Sequence, residues 1–327
     1  MRPTLRQGLL SLALVAAIVG CSGGSKDESA KPAGSLQFGV LPAPPKPFDS
    51  TGRIADNDDT VVALIAGRLF RFDPWTTGAI WLELGRDLPS ARSRLVSWND
   101  RVWYLSNDHG RLELASVALS GEQRADTRAV GGATDAGLAI MAARDAIFVF
   151  GAEGGFRVDR DGVYSEFPGA PNRQSVPDWS AVQLAELEDG TIVVADDQHL
   201  RWIFEPDLSR WREPPTDLEP PDVRSITVSN DGAYIVSGSP TRAVRLIASN
   251  RIEPVSVSLD SKCTAAALYP SDLGIVTVGC GKATLADSTR AHTVDVPAGT
   301  SIMHGPRGRP LAIRADKGEL SLLQLTP

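Results

Sequence analysis

The chain has 327 residues and a formal net charge of −7, and 42% of its residues are hydrophobic. This apolar fraction is sufficient for a folded core, and the negative charge argues against nucleic acid or anionic lipid headgroups as partners. After the N-terminal region, no segment of the sequence approaches the ~20 consecutive apolar residues that a membrane-spanning helix needs. The length is compatible with two domains, but all-β repeat folds often form one domain of this size.

The N-terminus has the pattern of an export signal. Two arginines precede an apolar run over residues 9–19, which is too short to span a bilayer and suits a secretory signal core. The run ends at Ile18-Val19-Gly20-Cys21, which resembles the lipobox of bacterial lipoproteins. The resemblance implies that residues 1–20 are a signal peptide and that Cys21 carries the lipid. The protein would then be extracytoplasmic, anchored to the cell membrane or, in a diderm, to the outer membrane. The alternative is an ordinary signal peptide with an incidental cysteine.

The next segments differ in composition from the rest of the chain. Residues 21–34 are mostly small, polar and charged, so we expect a flexible tether. Residues 36–40 (Leu-Gln-Phe-Gly-Val) fit an isolated strand, and the Pro-rich residues 42–47 fit an extended connector, because proline cannot pair within a sheet. Residues 35–327 are predicted to form a single domain.

A repeat runs through this domain as short aliphatic strands that follow polar turns. The steps between the strand positions are 41, 45, 45, 42, 41 and 36 residues. A period of about 40–45 residues with four strands per repeat is typical of β-propeller blades. The sequence therefore predicts an all-β, seven-bladed β-propeller, with six blades as the alternative. The seven strand positions are Val61, Val102, Ile147, Ile192, Tyr234, Ile275 and Leu311.

The last repeat has too few residues for four strands. Only one further strand, at residues 319–325, follows the aliphatic strand at Leu311. A ring that does not close leaves an exposed sheet edge. We therefore predict that residues 36–40 supply the missing outer strand and close the ring.

Single repeats resemble different propeller families. Residues 225–239, in the fifth repeat, resemble a WD40 or YVTN blade. Residues 189–196, in the fourth, resemble an NHL repeat. The first repeat resembles the tryptophan-docking repeat of PQQ-type propellers at Asp73, Thr77-Gly78 and Trp81. Each resemblance covers one repeat, and together they imply the propeller fold without selecting a family.

Two cysteines remain once Cys21 is assigned to the lipid. Cys263 and Cys280 flank two predicted strands that are joined by a turn at Ser271-Asp272. Paired strands can bring two Cα atoms within the ~4.4–6.8 Å that a disulfide needs, and an exported protein lies in an oxidising compartment. We therefore predict a Cys263–Cys280 disulfide. The alternative is two buried free thiols, and metal binding is less favoured because no histidine or further cysteine lies nearby.

The sequence shows no catalytic signature. Its four histidines lie at no metal-ligand spacing, and Gly-x-Ser-x-Gly and phosphate-binding glycine motifs are absent. It therefore identifies no catalytic residue, no metal ligand and no cofactor.

One predicted feature could bind a ligand. In a propeller, the loop after the second strand of each blade lies on the same face as the connections between blades. Two of those loops here contain Asp108, His109, Asp196, Asp197 and His199, so we predict an acidic rim around the central channel that binds a cation or a basic ligand. The alternative is that these loops are polar because they are solvated.

These observations favour a lipid-anchored extracytoplasmic scaffold that binds a protein or a small ligand. Its expected partners are the membrane, through the anchor, and an envelope protein, with no nucleic acid. The alternative is a propeller enzyme, such as a quinoprotein-like dehydrogenase or a metal-dependent lactonase or hydrolase, because such enzymes assemble their sites from isolated residues on several blades.

Overall fold

The protein is all-β throughout the part of the chain that its structure describes. The computed structural model describes residues 34–46, 53–56, 59–108, 111–121, 126–129, 137–171, 179, 181–215, 218, 220, 222–229, 231–238, 241–257, 263, 266–286, 291–314 and 317–326. None of the helical segments among these residues has the length and apolar character needed to cross a bilayer. The predicted signal peptide, Cys21 and most of the predicted tether lie outside them.

The described strands form seven antiparallel meanders of four strands. The first contains β2 (Arg53–Asp56), β3 (Val61–Ile65), β4 (Arg68–Phe72) and β5 (Leu82–Gly85). The second contains β6 (Leu95–Trp98), β7 (Arg101–Asp108), β8 (Arg111–Ala118) and β9 (Asp126–Ala129). The third contains β10 (Ala139–Ala142), β11 (Ala146–Gly151), β12 (Gly154–Asp159) and β13 (Tyr164–Pro168). The fourth contains β14 (Gln183–Glu186), β15 (Ile192–Ala195), β16 (Leu200–Glu205) and β17 (Arg210–Arg212).

The remaining three meanders follow the same pattern, with one exception in the last. The fifth contains β18 (Val223–Ser229), β19 (Gly232–Ser237), β20 (Arg242–Ala248) and β21 (Arg251–Pro254). The sixth contains β22 (Ala266–Ser271), β23 (Gly274–Gly279), β24 (Lys282–Ala286) and β25 (Ala291–Asp295). The seventh contains β26 (Ser301–His304), β27 (Pro310–Arg314), β28 (Glu319–Thr326) and, from the other end of the chain, β1 (Ser35–Val40). Two 3₁₀ turns, Pro206–Leu208 and Pro306–Gly308, complete the described elements.

The predicted aliphatic strands are confirmed, each as the second strand of its meander. β3, β11, β15 and β19 are buried at every position. A strand covered on both faces needs apolar side chains on both, which explains the near-continuous aliphatic runs in the sequence.

The hairpin from β6 to β7 shows how local sequence sets the strand register. Trp98 pairs with Arg101, so only Asn99 and Asp100 form the loop. Both loop residues have positive φ, 52° and 57°. Two positive φ angles are typical of the type I′ turn, whose twist matches that of paired strands, and Asn and Asp tolerate this conformation.

β1 pairs antiparallel with β28 along its full length, from Ser35 opposite Thr326 to Val40 opposite Ser321. The pairing continues past the strand, where Leu41 N–H donates to the Leu320 carbonyl at 2.8 Å. The predicted position of this strand, outside the last strand of the chain, is therefore the one observed.

The first two meanders are joined into one eight-stranded sheet, which the sequence did not predict. The link is a short parallel pairing of β2 with β6, in which Ala55 lies opposite Leu95. The first strands of successive meanders run in the same direction, so a close approach between them can form only a parallel ladder.

Apolar cores lie between successive meanders, and one of them joins the two ends of the domain. In this core, Leu311 and Leu322 of the seventh meander belong to the same buried cluster as Val61 and Phe70 of the first. Four-stranded meanders that share such cores are consistent with a β-propeller.

Polar contacts support the junction between the first and seventh meanders. The Trp75 ring faces two guanidinium groups, with Arg307 Cζ 4.2 Å and Arg309 Cζ 4.6 Å from its centroid. Trp75 Nε1–H donates to the Asp59 carbonyl at 2.7 Å, and Arg307 Nε lies 3.1 Å from the Asp59 carboxylate. Each cation–π contact at an exposed site contributes about 0.5–1 kcal/mol.

The predicted disulfide is confirmed. Cys263 and Cys280 are bonded, with their Cα atoms 5.7 Å apart. Cys263 is buried just before β22, whereas Cys280 is exposed in the turn between β23 and β24. The bridge therefore fixes the segment that enters the sixth meander to a turn within that meander.

Removal of this bridge is expected to lower stability without changing the fold. The cysteines are 17 residues apart in sequence, and closing a loop of that size contributes about 3 kcal/mol in the chain-entropy account. Chemical denaturation of the oxidised protein with and without reductant measures the loss. The Cys263→Ala/Cys280→Ala variant is the control, because its midpoint must not respond to reductant. An equal midpoint for the oxidised and reduced native proteins would contradict the prediction.

Candidate functional site

The first strands of the meanders line one cavity, which we call the inner cavity. Its volume is about 1510 Å³, and residues from β2, β6, β10, β14, β18, β22 and β26 all face it. Much of the wall is apolar, including Leu138, Ile140, Met141, Val228 and Ile302. A concave, mostly apolar site with a few polar groups is typical of small-molecule binding.

Side-chain hydrogen bonds tie neighbouring first strands together around this cavity. Gln183 on β14 bridges to β18, donating from Nε2 to the Ile226 carbonyl at 3.1 Å and accepting from Val228 N–H at 3.0 Å. Thr227 Oγ1 on β18 accepts from Leu268 N–H on β22 at 3.2 Å. These contacts satisfy polar groups between strands and hold the wall in place.

The described lining is more basic than acidic, although the whole chain is acidic. Its acidic residues are Glu186 and Asp197. Its basic side chains, apart from His304, are Arg53, Arg92, Arg94, Arg144 and Arg160.

Two of these arginines are held by protein groups. Arg144 Nε lies 3.8 Å from the Glu186 carboxylate, and Arg144 also donates to the Leu187 carbonyl at 3.2 Å. Arg160 donates to the Arg144 carbonyl at 2.7 Å and lies 3.5 Å from the Asp145 carboxylate. The charges of Arg144 and Arg160 are therefore partly compensated by protein groups.

The side chains of Arg92 and Arg94, in contrast to those of Arg144 and Arg160, are not held by other protein groups in the described structure. Both lie immediately before β6, and both line the cavity. Among the residues that the structure describes, neither guanidinium has an ion-pair or hydrogen-bond partner. The Arg94 side chain is exposed to solvent, although nearby protein lowers the pKa of its guanidinium by desolvation. Arg94 thus lines the cavity as a solvent-accessible cation with no counter-charge among the described residues.

His304, at the end of β26, lies in the same cavity. Its ring centroid is 4.7 Å from that of Tyr269 on β22. Burial lowers the pKa of His304 to about 4, with a further lowering from the charge of Arg94 and partial opposition from a hydrogen bond to the Val228 backbone and from Asp231. His304 is therefore neutral at physiological pH, and its Nε2 has no hydrogen-bond partner in the described structure.

Of the predicted rim residues, the structure describes the side chains of Asp196, Asp197 and His199. Asp196, Asp197 and His199 share the loop between β15 and β16, and Asp197 lines the inner cavity. Asp108 is the last residue of β7, and His109 lies outside the described residues. The ligand-binding role of this rim stays a prediction.

Asp196 is used within its own turn. Its carboxylate accepts from Gln198 N–H at 2.8 Å, from His199 N–H at 2.6 Å and from Arg201 Nε–H at 2.6 Å. Burial favours a higher pKa, but these hydrogen bonds outweigh it and lower the pKa of Asp196. A carboxylate committed to three donors shapes the loop and has little capacity left for a ligand.

The arrangement holds no obvious metal centre within the described residues, which contain no group of three or more His, Cys, Asp and Glu side chains placed to share an ion. Besides Glu186 and Asp197, the cavity offers guanidinium donors, an apolar wall and a neutral imidazole. Guanidinium groups without a protein partner are suited to bind a carboxylate or phosphate.

The sequence analysis did not single out Arg92 and Arg94, because only the second strand of each meander has an aliphatic run that stands out in the sequence. Counting back from Arg101 through the Asn99-Asp100 turn places β6 and hence both arginines at its start. Their lack of partners depends on the neighbouring meanders and has no local sequence signature.

The meanders and their shared cavity define a β-propeller-type protein. Virginiamycin B lyase from Staphylococcus aureus is similar in structure, with a TM-score of 0.57 at 13% sequence identity, over 89% of this chain and 100% of that one. The extracellular domain of the one-component system BT4673 from B. thetaiotaomicron matches with a TM-score of 0.50 at 10% identity, over 88% of this chain.

PorZ, a surface component of the type-IX secretion system of Porphyromonas gingivalis, matches with a TM-score of 0.51 at 11% identity, over 90% of this chain. The match spans 39% of the PorZ chain and 39% of the BT4673 chain. At these identities the likeness shows the fold alone. No protein-family model and no curated protein sequence matches this chain.

Proposed function

We propose that this chain is a lipid-anchored, extracytoplasmic binding module built on a seven-bladed β-propeller. Each four-stranded meander is one blade, and β1 closes the ring by completing the seventh. The lipobox-like motif ending at Cys21 supplies the anchor, and the Cys263–Cys280 disulfide supports an oxidising location outside the cytoplasm.

The observation that carries the binding role is the shared inner cavity. All seven first strands contribute to its wall, so one ligand can contact every blade at once. Rigid strands joined by hydrogen bonds such as those of Gln183 preorganise the wall, which lowers the entropic cost of binding.

Site-specific photocrosslinking tests the proposal. A photoreactive phenylalanine analogue replaces Arg92 or Ser301, two exposed residues that line the cavity. The control position is Leu208, which is 63% exposed and is not among the cavity-lining residues. Irradiation of cells followed by intact-mass analysis is expected to give adducts at the cavity positions and not at Leu208. A protein adduct identifies a partner, and a small mass shift identifies a small ligand.

Two results would overturn the binding-module proposal. Adducts that form equally at Leu208 and at the cavity positions would show that the cavity is not a binding site. A stoichiometric metal or quinone in the purified protein, together with substrate turnover, would favour the propeller enzyme instead.

A further inference from the structure

We infer that the inner cavity binds an amphipathic small molecule whose carboxylate or phosphate group pairs with Arg94, assisted by Arg92. The inference rests on the proposed binding function and names its ligand class. It follows from the state of the two guanidinium groups, the charge balance of the lining and the apolar character of the wall.

The first step concerns Arg94. Arg94 lines the inner cavity with an exposed side chain, and its guanidinium has no ion-pair or hydrogen-bond partner among the described residues. Other arginines of the described structure, such as Arg201 and Arg309, are paired with carboxylates. A ligand anion is the group that would complete this site, and the planar guanidinium fits carboxylate and phosphate through two parallel hydrogen bonds.

The second step concerns which cavity groups can compete for that anion. Arg144 and Arg160 already face Glu186 and Asp145, respectively. His304 is neutral because burial holds its pKa near 4. Among the arginines whose contacts are given above, the two without a partner are therefore Arg92 and Arg94, which lie two residues apart just before β6.

The third step concerns the rest of the ligand. The wall of the same cavity includes Leu138, Ile140, Met141 and Ile302. Burial of apolar ligand surface against such a wall favours binding. A fully polar anion such as free phosphate would leave this wall in contact with water, so a ligand with an anionic head and an apolar body makes better use of the site.

The test uses the folded, tether-free domain (residues 34–327) and the fluorescent anion 8-anilinonaphthalene-1-sulfonate as the probe. We expect saturable binding of one equivalent and displacement by octanoate or octyl phosphate, but not by octanol at equal concentration. The better competitor of the two anions tells whether carboxylate or phosphate is preferred. Raised salt is expected to weaken binding, since the contact is partly electrostatic.

Charge-removing variants locate the anion contact. Arg94→Gln is expected to weaken probe binding about tenfold, equivalent to about 1.4 kcal/mol, because it removes a charge-assisted hydrogen bond. Arg92→Gln is expected to weaken it by less. Arg242→Gln is the matched control, since Arg242 is exposed at the start of β20, is not among the cavity-lining residues and carries the same charge. Circular dichroism and the thermal midpoint verify that each variant is folded.

Several outcomes would overturn the inference. Equal affinity of the native protein, Arg94→Gln and Arg242→Gln would exclude an Arg94 contact, and displacement by octanol as strong as that by octanoate would exclude anion recognition. If probe binding fails while cavity crosslinks still form in cells, the ligand class is wrong and the proposed binding function stands. If both fail, the binding function is wrong as well.

Discussion

Deletion of residues 35–41 is expected to lower the stability of the domain by several kcal/mol and to make it prone to aggregation. The deletion removes β1, exposes the edge of β28 and removes the buried side chains of Leu36 and Leu41. Burying each leucine side chain contributes roughly 1.5–3 kcal/mol. Thermal unfolding and light scattering measure both effects.

The control for this deletion is the loss of residues 26–33, in the predicted tether, which is expected to change neither stability nor solubility. Point variants address the case in which the deletion fails to fold. Leu36 is 7% exposed and Val40 on the same strand is 67% exposed. Leu36→Ala is therefore expected to cost about 2–5 kcal/mol and Val40→Ala much less. Equal tolerance of the two deletions, or of the two point variants, would mean that β1 is not needed to close the domain.

Replacement of Cys21 by alanine is expected to abolish fatty-acid labelling completely. The lipobox-like motif predicts that Cys21 is the acylated residue, and several acyl chains together would give the stable membrane binding that one chain lacks. Metabolic labelling with a radioactive fatty acid and immunoprecipitation measure the loss. Ser22→Ala is the matched control and is expected to keep normal labelling.

A second variant tests the anchor while leaving export and signal cleavage intact. When residues 1–21 are replaced by a cleavable, non-lipoprotein export signal, the protein is expected to leave the membrane fraction and appear in the soluble extracytoplasmic fraction. Unchanged labelling of Cys21→Ala would disprove the lipid anchor. Retention of the signal-swapped protein on membranes would mean that the domain itself binds there, through a partner or a lipid surface.

The second strands and the hairpins could be predicted from the sequence because local chemistry determines them. A strand such as β3, buried on both faces, must be aliphatic throughout, and the regular spacing of such strands reveals the repeat. The Asn99-Asp100 turn is specified in the same way, since both positions need positive φ. Cys263 and Cys280 could be paired because they are the two cysteines that remain once Cys21 is assigned to the lipid. Strand β1 could be placed because the last repeat lacks one strand and residues 36–40 form a strand that belongs to no other repeat.

The inner cavity and its lining were not predictable in this way, because they depend on several meanders at once. The acidic loop residues seemed the best ligands in sequence, yet the Asp196 carboxylate is occupied by Gln198, His199 and Arg201 in its own turn. The parallel contact of β2 with β6 likewise arises only when two meanders meet.

By itself, the sequence determined the repeat, the strand pattern and the disulfide partners of this protein, since each depends on residues close in the chain or on the count of a rare residue. The export signal stays a prediction from the sequence. The tertiary structure alone decided which charges are paired. Arg144 has Glu186 from the next meander beside it, whereas Arg94 lines the inner cavity with no counter-charge among the described residues. Charge compensation depends on distances between side chains that are far apart in sequence, so it can be seen only in the assembled domain.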